Sequence, residues 1–172
     1  MSPKSEGLTL QQLYVEHLKD MYSAENQITK ALPKIIKTVT DTELKRGLES
    51  HLKETENHVK RIEKIFNELE GSPRGKKCVG MEGLLEEGKE VMAEDMASPD
   101  LMDSALIGGC RKVEHYEIRG YEDLIDMAEK LGFDDAVKLL QQTLQEEQAA
   151  DEKLAGIEEN ILSPETIQMA TA

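Results

Sequence analysis

The chain has 172 residues, 38% of them hydrophobic, enough for one domain-sized core if the apolar groups gather on one side of each element. Its 35 acidic against 21 basic residues give a formal charge of −14, which repels phosphate backbones and anionic membrane surfaces, so neither nucleic acid nor membrane is an expected partner. No apolar run approaches 18 residues, the opening MSPKSEG lacks the apolar stretch of a secretory signal, and the cysteines at 78 and 110 form no CxxC pair, so a cytoplasmic location with reduced thiols is expected.

Aromatic residues are scarce, and Leu, Glu, Lys, Ala and Met dominate; this is the composition of long amphipathic helices, and the predicted fold class is all-α. Thr9 is placed to cap a first helix with Leu10, Leu13, Tyr14, His17, Leu18, Met21, Glu25, Ile28 and Leu32 at helical spacing, and Pro33 can bend it but need not end it. Thr40 or Asp41 caps a second, with Leu44, Leu48, His51, Thr55, Val59, Ile62 and Phe66 on its stripe and an end before Gly71. Their short link makes the two helices antiparallel neighbours. From Gly71 to about Asp103 the period breaks: GSPRGKKCVGMEG reads as a loop, LLEEGKEVMAEDM as a short helix and SPD as a new start. The third long helix runs to Leu131 and Gly132 closes it; Asp134 or Asp135 caps the fourth, whose stripe holds Val137, Leu140, Leu144, Glu147, Asp151 and Leu154.

Short link, long crossover, short link is the connectivity of a ferritin-like four-helix bundle, here with a short extra helix on the crossover. A single domain over residues 1–162 is expected, with 163–172 as a tail leaving it. Val79, Met81, Leu84, Leu85, Val91 and Met92 lie on the crossover, outside the four-helix core, and need cover that a second copy would supply.

Each long helix interrupts its stripe with acid near its middle: Glu25, Glu54, the pair Glu114 and Glu117, and Glu147. Glu25 and Glu54 are 29 residues apart, Glu117 and Glu147 30, so the two hairpins set their acids at matching depths. On the second helix His51 and His58 stand at i−3 and i+4 from Glu54, and Asp151 takes the i+4 place after Glu147. In so acidic a chain a single Glu is ordinarily a solvated face residue, and His51, His58 or Tyr121 alone would be a packing group. The conjunction on four helices carries the information. Carboxylates gathered in a bundle centre would each cost several kcal/mol to desolvate and would repel one another. Two divalent ions bring four positive charges, and oxygen ligands completed by imidazole suit iron first and manganese second.

The segments HLKDMYSAENQI (His17 to Ile28), HLKET (His51 to Thr55), KCVGMEGLLEE (Lys77 to Glu87), KVEHYEI (Lys112 to Ile118) and LQEEQAADEKL (Leu144 to Leu154) together give the chain a family resemblance over nearly its whole length. It resembles the YciE/YciF family of ferritin-like, stress-associated bacterial proteins, on the YciF branch. The resemblance implies a ferritin-like four-helix fold, a homodimer and a di-metal site with ligands at Glu25, Glu54, Glu114, Glu117 and Glu147, of which Glu54 and Glu147 are the expected bridging positions. Asn57 and Ala150 stand where a Glu-x-x-His pattern would place histidine, so His58, which shares a face with Glu54, is the expected nitrogen ligand, with His51 as an orienting residue or an alternative ligand and Asp151 and Tyr121 around the ligands. The function expected from this is a di-iron oxidoreductase acting on O2 or peroxide, with an external electron donor because the chain has no rubredoxin-like cysteines. The alternatives are a non-enzymatic dimeric helical protein that binds partners, with structural metal or none, and an iron-storage cage, for which no cage-interface signature is present.

Overall fold

The computed structural model describes residues 7–162 and forms five helices among them: α1 (Leu10–Thr38), α2 (Thr42–Glu68), α3 (Val79–Ala93), α4 (Pro99–Leu131) and α5 (Asp134–Ile161). The predicted tail, 163–172, lies outside the described residues. The expected all-α, ferritin-like bundle is the observed architecture, with α1, α2, α4 and α5 as its long helices and α3 on the crossover.

Local chemistry explains most of the boundaries. Thr9 and Gln12 form a reciprocal capping box at the start of α1, Thr9 Oγ1 accepting from the Gln12 amide at 3.2 Å. Asp41 caps α2 through the Leu44 amide at 2.7 Å, Ser98 caps α4 with Pro99 as its first residue, and Gly132 ends α4 at φ 73°. Pro33 stays inside α1. Two expectations differ. α5 has Phe133 in the cap position with no side-chain cap; the link from Gly132 is too short for an aspartate ahead of the first turn, so Asp134 and Asp135 lie within that turn and complement the helix dipole instead. α3 begins at Val79, within the predicted loop, because its start is pinned to α1: Ser23 Oγ accepts from the Cys78 amide at 2.9 Å and Gln27 donates to the Cys78 carbonyl at 3.0 Å.

In the bundle α1 packs on α2 and α4, and α5 packs on α2 and α4, while α3 lies over α1 and α4. Buried Asp103 near the start of α4 accepts hydrogen bonds from the amides of Thr40 and Asp41 and from the Thr40 hydroxyl, fixing the α1–α2 link against the N-terminal end of α4. Gly120 permits the close approach of α4 to α1, since a Cβ there would sit 2.6 Å from Met21 Sδ.

The core falls into two apolar clusters. One, around Ile28, Leu32, Leu48, Ile107 and Leu154, occupies the end holding the α1–α2 link; the other, around Tyr14, Leu18, Ile62, Tyr121 and Leu140, occupies the end holding the α4–α5 link. Between them lies a layer of buried polar groups. The crossover side chains expected to need a second subunit are mostly covered within the chain: Met81 is fully buried, Leu84, Leu85, Val91 and Met92 pack on the first cluster, and Val79 is the one left exposed.

Candidate metal centre

The polar layer draws on all four long helices. α1 contributes Glu25, α2 His51 and His58, α4 Glu114 and Glu117, and α5 Glu147, all buried because each sits in register with the apolar residues of its own stripe, and all in the middle stretch of the bundle. Their ligand atoms form two groups, each within 4.8 Å: His51, Glu114, Glu117 and Glu147 in one, and Glu25, His58 and Glu147 in the other. Glu147 belongs to both.

His51 Nε2 faces Glu114 Oε1 at 3.2 Å and Glu147 Oε2 at 3.8 Å. His58 Nδ1 lies 2.9 Å from Glu147 Oε1 and 3.4 Å from Glu25 Oε1. The Tyr121 hydroxyl donates to Glu25 in a short hydrogen bond. Beyond these contacts the layer is poorly satisfied: both oxygens of Glu117 and of Glu147, Oε2 of Glu25 and of Glu114, and Nδ1 of His58 are buried without an aligned hydrogen bond. Orphaned atoms at such density are costly in a folded core and signal a missing partner.

The proton equilibria are strained accordingly. Burial, with Glu147 and Glu25 nearby, holds the Glu117 carboxyl well above its ordinary range, and burial raises Glu25 and lifts Glu147 to about 7. Burial opposes charge on the imidazoles, yet the Glu114 carboxylate keeps His51 well above its ordinary value, and Glu25 and Glu147 push His58 up to about 10. Without an ion, the layer retains protons where cations would sit.

The structure does not bring two of the predicted site residues into either group. Glu54, the expected bridging ligand, has its side chain 40% exposed and lies 3.6 Å from His51 Nδ1. The inner row of α2 runs Leu48, His51, Thr55, His58 and Ile62, and Glu54 precedes Thr55 by one residue, about 100° around the helix. Asp151 is drawn to the edge of the bundle by Arg111 Nε at 2.8 Å and His115 Nε2 at 3.2 Å. Of the two roles expected for His51, orienting residue or alternative ligand, its position among the converging donors fits the second.

With this geometry in place, comparison with known proteins places the chain. The sequence profile of a family described as Domain of unknown function (DUF892) matches residues 9–166. The chain belongs to this family. Protein YciF of Escherichia coli (strain K12) is 42% identical over 151 residues, covering 87% of this chain and 90% of that protein. The crystal structure of the E. coli stress protein YciF superposes with a TM-score of 0.86 at 39% identity, over 91% of this chain and 98% of that one. A Rhodopseudomonas palustris protein named YcfI follows at 0.82 and 40% identity, over 90% of this chain and 97% of that one. At 20% identity and a TM-score of 0.74, over 95% of this chain and 99% of that one, a Xanthomonas campestris protein shares the fold.

In this DUF892 chain the layer around the converging donors includes two residues that the sequence did not single out. Glu146 accepts both Arg61 guanidinium nitrogens, at 2.6 and 2.8 Å, and lies 2.8 Å from His58 Nε2. That contact ties down Nε2 and turns Nδ1 toward Glu25 and Glu147, the carboxylate–imidazole arrangement that orients metal-binding histidines. The signal available was weak: Arg61 follows His58 at i+3, and Glu146 is the neighbour of Glu147 in a run of solvated-looking acids. Arg61→Ala is expected to leave the bundle folded, lower its Tm modestly and weaken binding of manganous ion by about 10–100-fold, measured by titration calorimetry. Unchanged affinity would show that the Arg61–Glu146 pair does not orient His58.

Proposed function

We propose that this chain is a stress-associated protein of the YciF type built around a dinuclear metal centre, iron first and manganese second, that acts as an oxidoreductase on O2 or peroxide. The observation that carries the proposal is the pair of donor groups sharing Glu147, buried between two apolar clusters with most of their polar atoms outside any aligned hydrogen bond. The donor set fits such ions. Four fully or nearly fully buried carboxylates, Glu25, Glu114, Glu117 and Glu147, match the four positive charges of two divalent ions, and the oxygen-rich, thiol-free chemistry with two imidazoles suits iron or manganese.

His58 with Glu25 and Glu147 would hold one ion, and His51 with Glu114, Glu117 and Glu147 the other. The ions would supply Lewis acidity and electron transfer to an oxidant. The chain's own contribution is positional. Glu147 spans the two groups, and the Tyr121 phenol, kept protonated by burial and then by the adjacent carboxylates, steadies Glu25 by donating to it. Half-buried Glu146 links His58 to Arg61 at the α2–α5 surface, while apolar clusters close the layer at its two ends. Only Cys78 and Cys110 carry thiols, both buried, so electrons come from an external donor.

The test is reconstitution of the full chain with ferrous or manganous ion under anaerobic conditions, elemental analysis after removal of free metal, and peroxide consumption with an added reductant. Two ions per chain and metal-dependent turnover are expected. Stoichiometric metal without turnover would leave a structural centre in a non-enzymatic helical protein, and no retained metal would defeat the proposal altogether.

A further inference from the structure

A groove of about 460 Å3 runs between α1, α3 and α4, in the size range of small-molecule sites. Its walls are apolar, from Ile28, Leu32, Leu84, Leu85, Val91 and Met92 among others. Buried His51 and Glu114 also line it; His51 Nε2 faces Glu114 Oε1 at 3.2 Å without an aligned hydrogen bond, and Glu114 Oε2 has no partner. The groove therefore opens onto the polar layer.

Three glycines in helix interiors line the same space, Gly88 on α3 and Gly108 and Gly109 on α4. Glycine is a poor interior helix residue, and it is usually retained where two backbones must approach. Here a Cβ at any of the three would meet nothing within 4 Å. Packing within the chain makes no demand for glycine at these positions. Their effect is to widen the groove and leave bare backbone along its wall.

The mouth carries a specific charge pattern. Lys30 and Lys34 of α1 are exposed and make no ion pair among the described residues, whereas the acids beside them are committed: Glu82 to Lys77, and Glu87 to Lys112 at 3.0 Å. In a chain of charge −14, two free lysines over an apolar groove select an anion with a hydrophobic body. Lys34 lies nine residues beyond Glu25 on α1, a rise of roughly 14 Å, the span of a medium-length alkyl chain.

We propose that this groove binds a single-chain aliphatic carboxylate, its head on Lys30 and Lys34 and its alkyl chain along Gly108 and Gly109 with the far end at His51 and Glu114. As a substrate site it rests on the metal centre proposed above; the binding step itself needs no metal. The experiment is calorimetric titration of the metal-free full chain with decanoate, with decanol and decylammonium as controls. Decanoate is expected to bind one to one, at least tenfold more tightly than decylammonium. Lys30→Ala with Lys34→Ala should weaken decanoate about tenfold and leave decanol unchanged. Gly108→Leu, whose Cβ would meet nothing within 4 Å and which should retain the helical circular dichroism, should abolish binding of both. Absence of saturable decanoate binding, or binding indifferent to Gly108→Leu, overturns the proposal. So does a wild-type dimer that Gly108→Leu converts to monomer without any decanoate bound, since the groove is then a subunit interface. Manganous-ion titration of the same preparations separates the two proposals, because each binding event can fail while the other persists.

Discussion

Glu147→Gln is expected to remove both metal ions at once and to erase the rise in Tm that added metal brings. Glu147 is the one residue common to both donor groups, with Oε1 toward His58 and Oε2 toward His51. An amide offers one weakly ligating oxygen and an NH2 that repels a cation, so neither group stays complete. With free metal at a hundred times its dissociation constant, each site stabilises the wild type by about 2.7 kcal/mol, and the variant lacks that gain. Without metal two effects oppose: removing a fully buried carboxylate relieves desolvation and repulsion from Glu114, but it also takes a partner from His58 and His51, so the metal-free Tm is expected to shift far less than the metal-loaded one. Glu54→Gln is the contrast. Glu54 is partly exposed, held ionised by the neighbouring His51 imidazole, and outside both groups, so its loss should cost no more than about 1 kcal/mol and leave both ions bound. Thermal melts with and without manganous ion, paired with elemental analysis, check both variants. If Glu54→Gln lost the metal while Glu147→Gln kept it, the ligand assignment would be wrong.

The metal-free chain should lose stability as pH rises from about 5 to about 10, while metal affinity moves the other way. The folded-state value of Glu147, about 7, lies above its ordinary value of 4.5. Between these values the folded chain holds a proton that the unfolded chain releases, so the stability of the fold declines through that window by about 3 kcal/mol. His58, raised from 6.5 to about 10, acts with the same sign: its contribution is complete below pH 6.5 and is lost as pH climbs through 10. Metal binding needs ionised carboxylates and neutral imidazole, so it strengthens with rising pH. The gap in Tm between manganese-loaded and chelator-treated protein should therefore widen between about pH 5.5 and 8. A metal-free Tm that rises over this range would show that Glu147 and His58 are not strained as their surroundings imply.

Much of this protein is legible in its sequence because the relevant physics is local. Helical period, the capping side chains Thr9, Asp41 and Ser98, the αL glycine at 132 and the long interval between the second and third long helices are read residue by residue. They lead to an all-α, ferritin-like connectivity without any tertiary information. The depth of the acid layer is legible for the same reason: matched spacing along two hairpins sets Glu25, Glu117 and Glu147 level whatever the helices pack against. What the sequence leaves open is rotation about each helix axis. One residue is about 100°, and the partner helices decide which residue of a pair faces inward. On α2 that choice puts His51, Thr55 and His58 inside and leaves Glu54 at the rim. On α5 it turns Glu147 to the centre and Glu146 to Arg61 and the back of His58. The start of α3 was likewise settled at a distance, by Ser23 and Gln27 of α1, some fifty residues away in the chain. Spacing fixes height along a helix; facing depends on packing between helices, and no stretch of a single helix contains it.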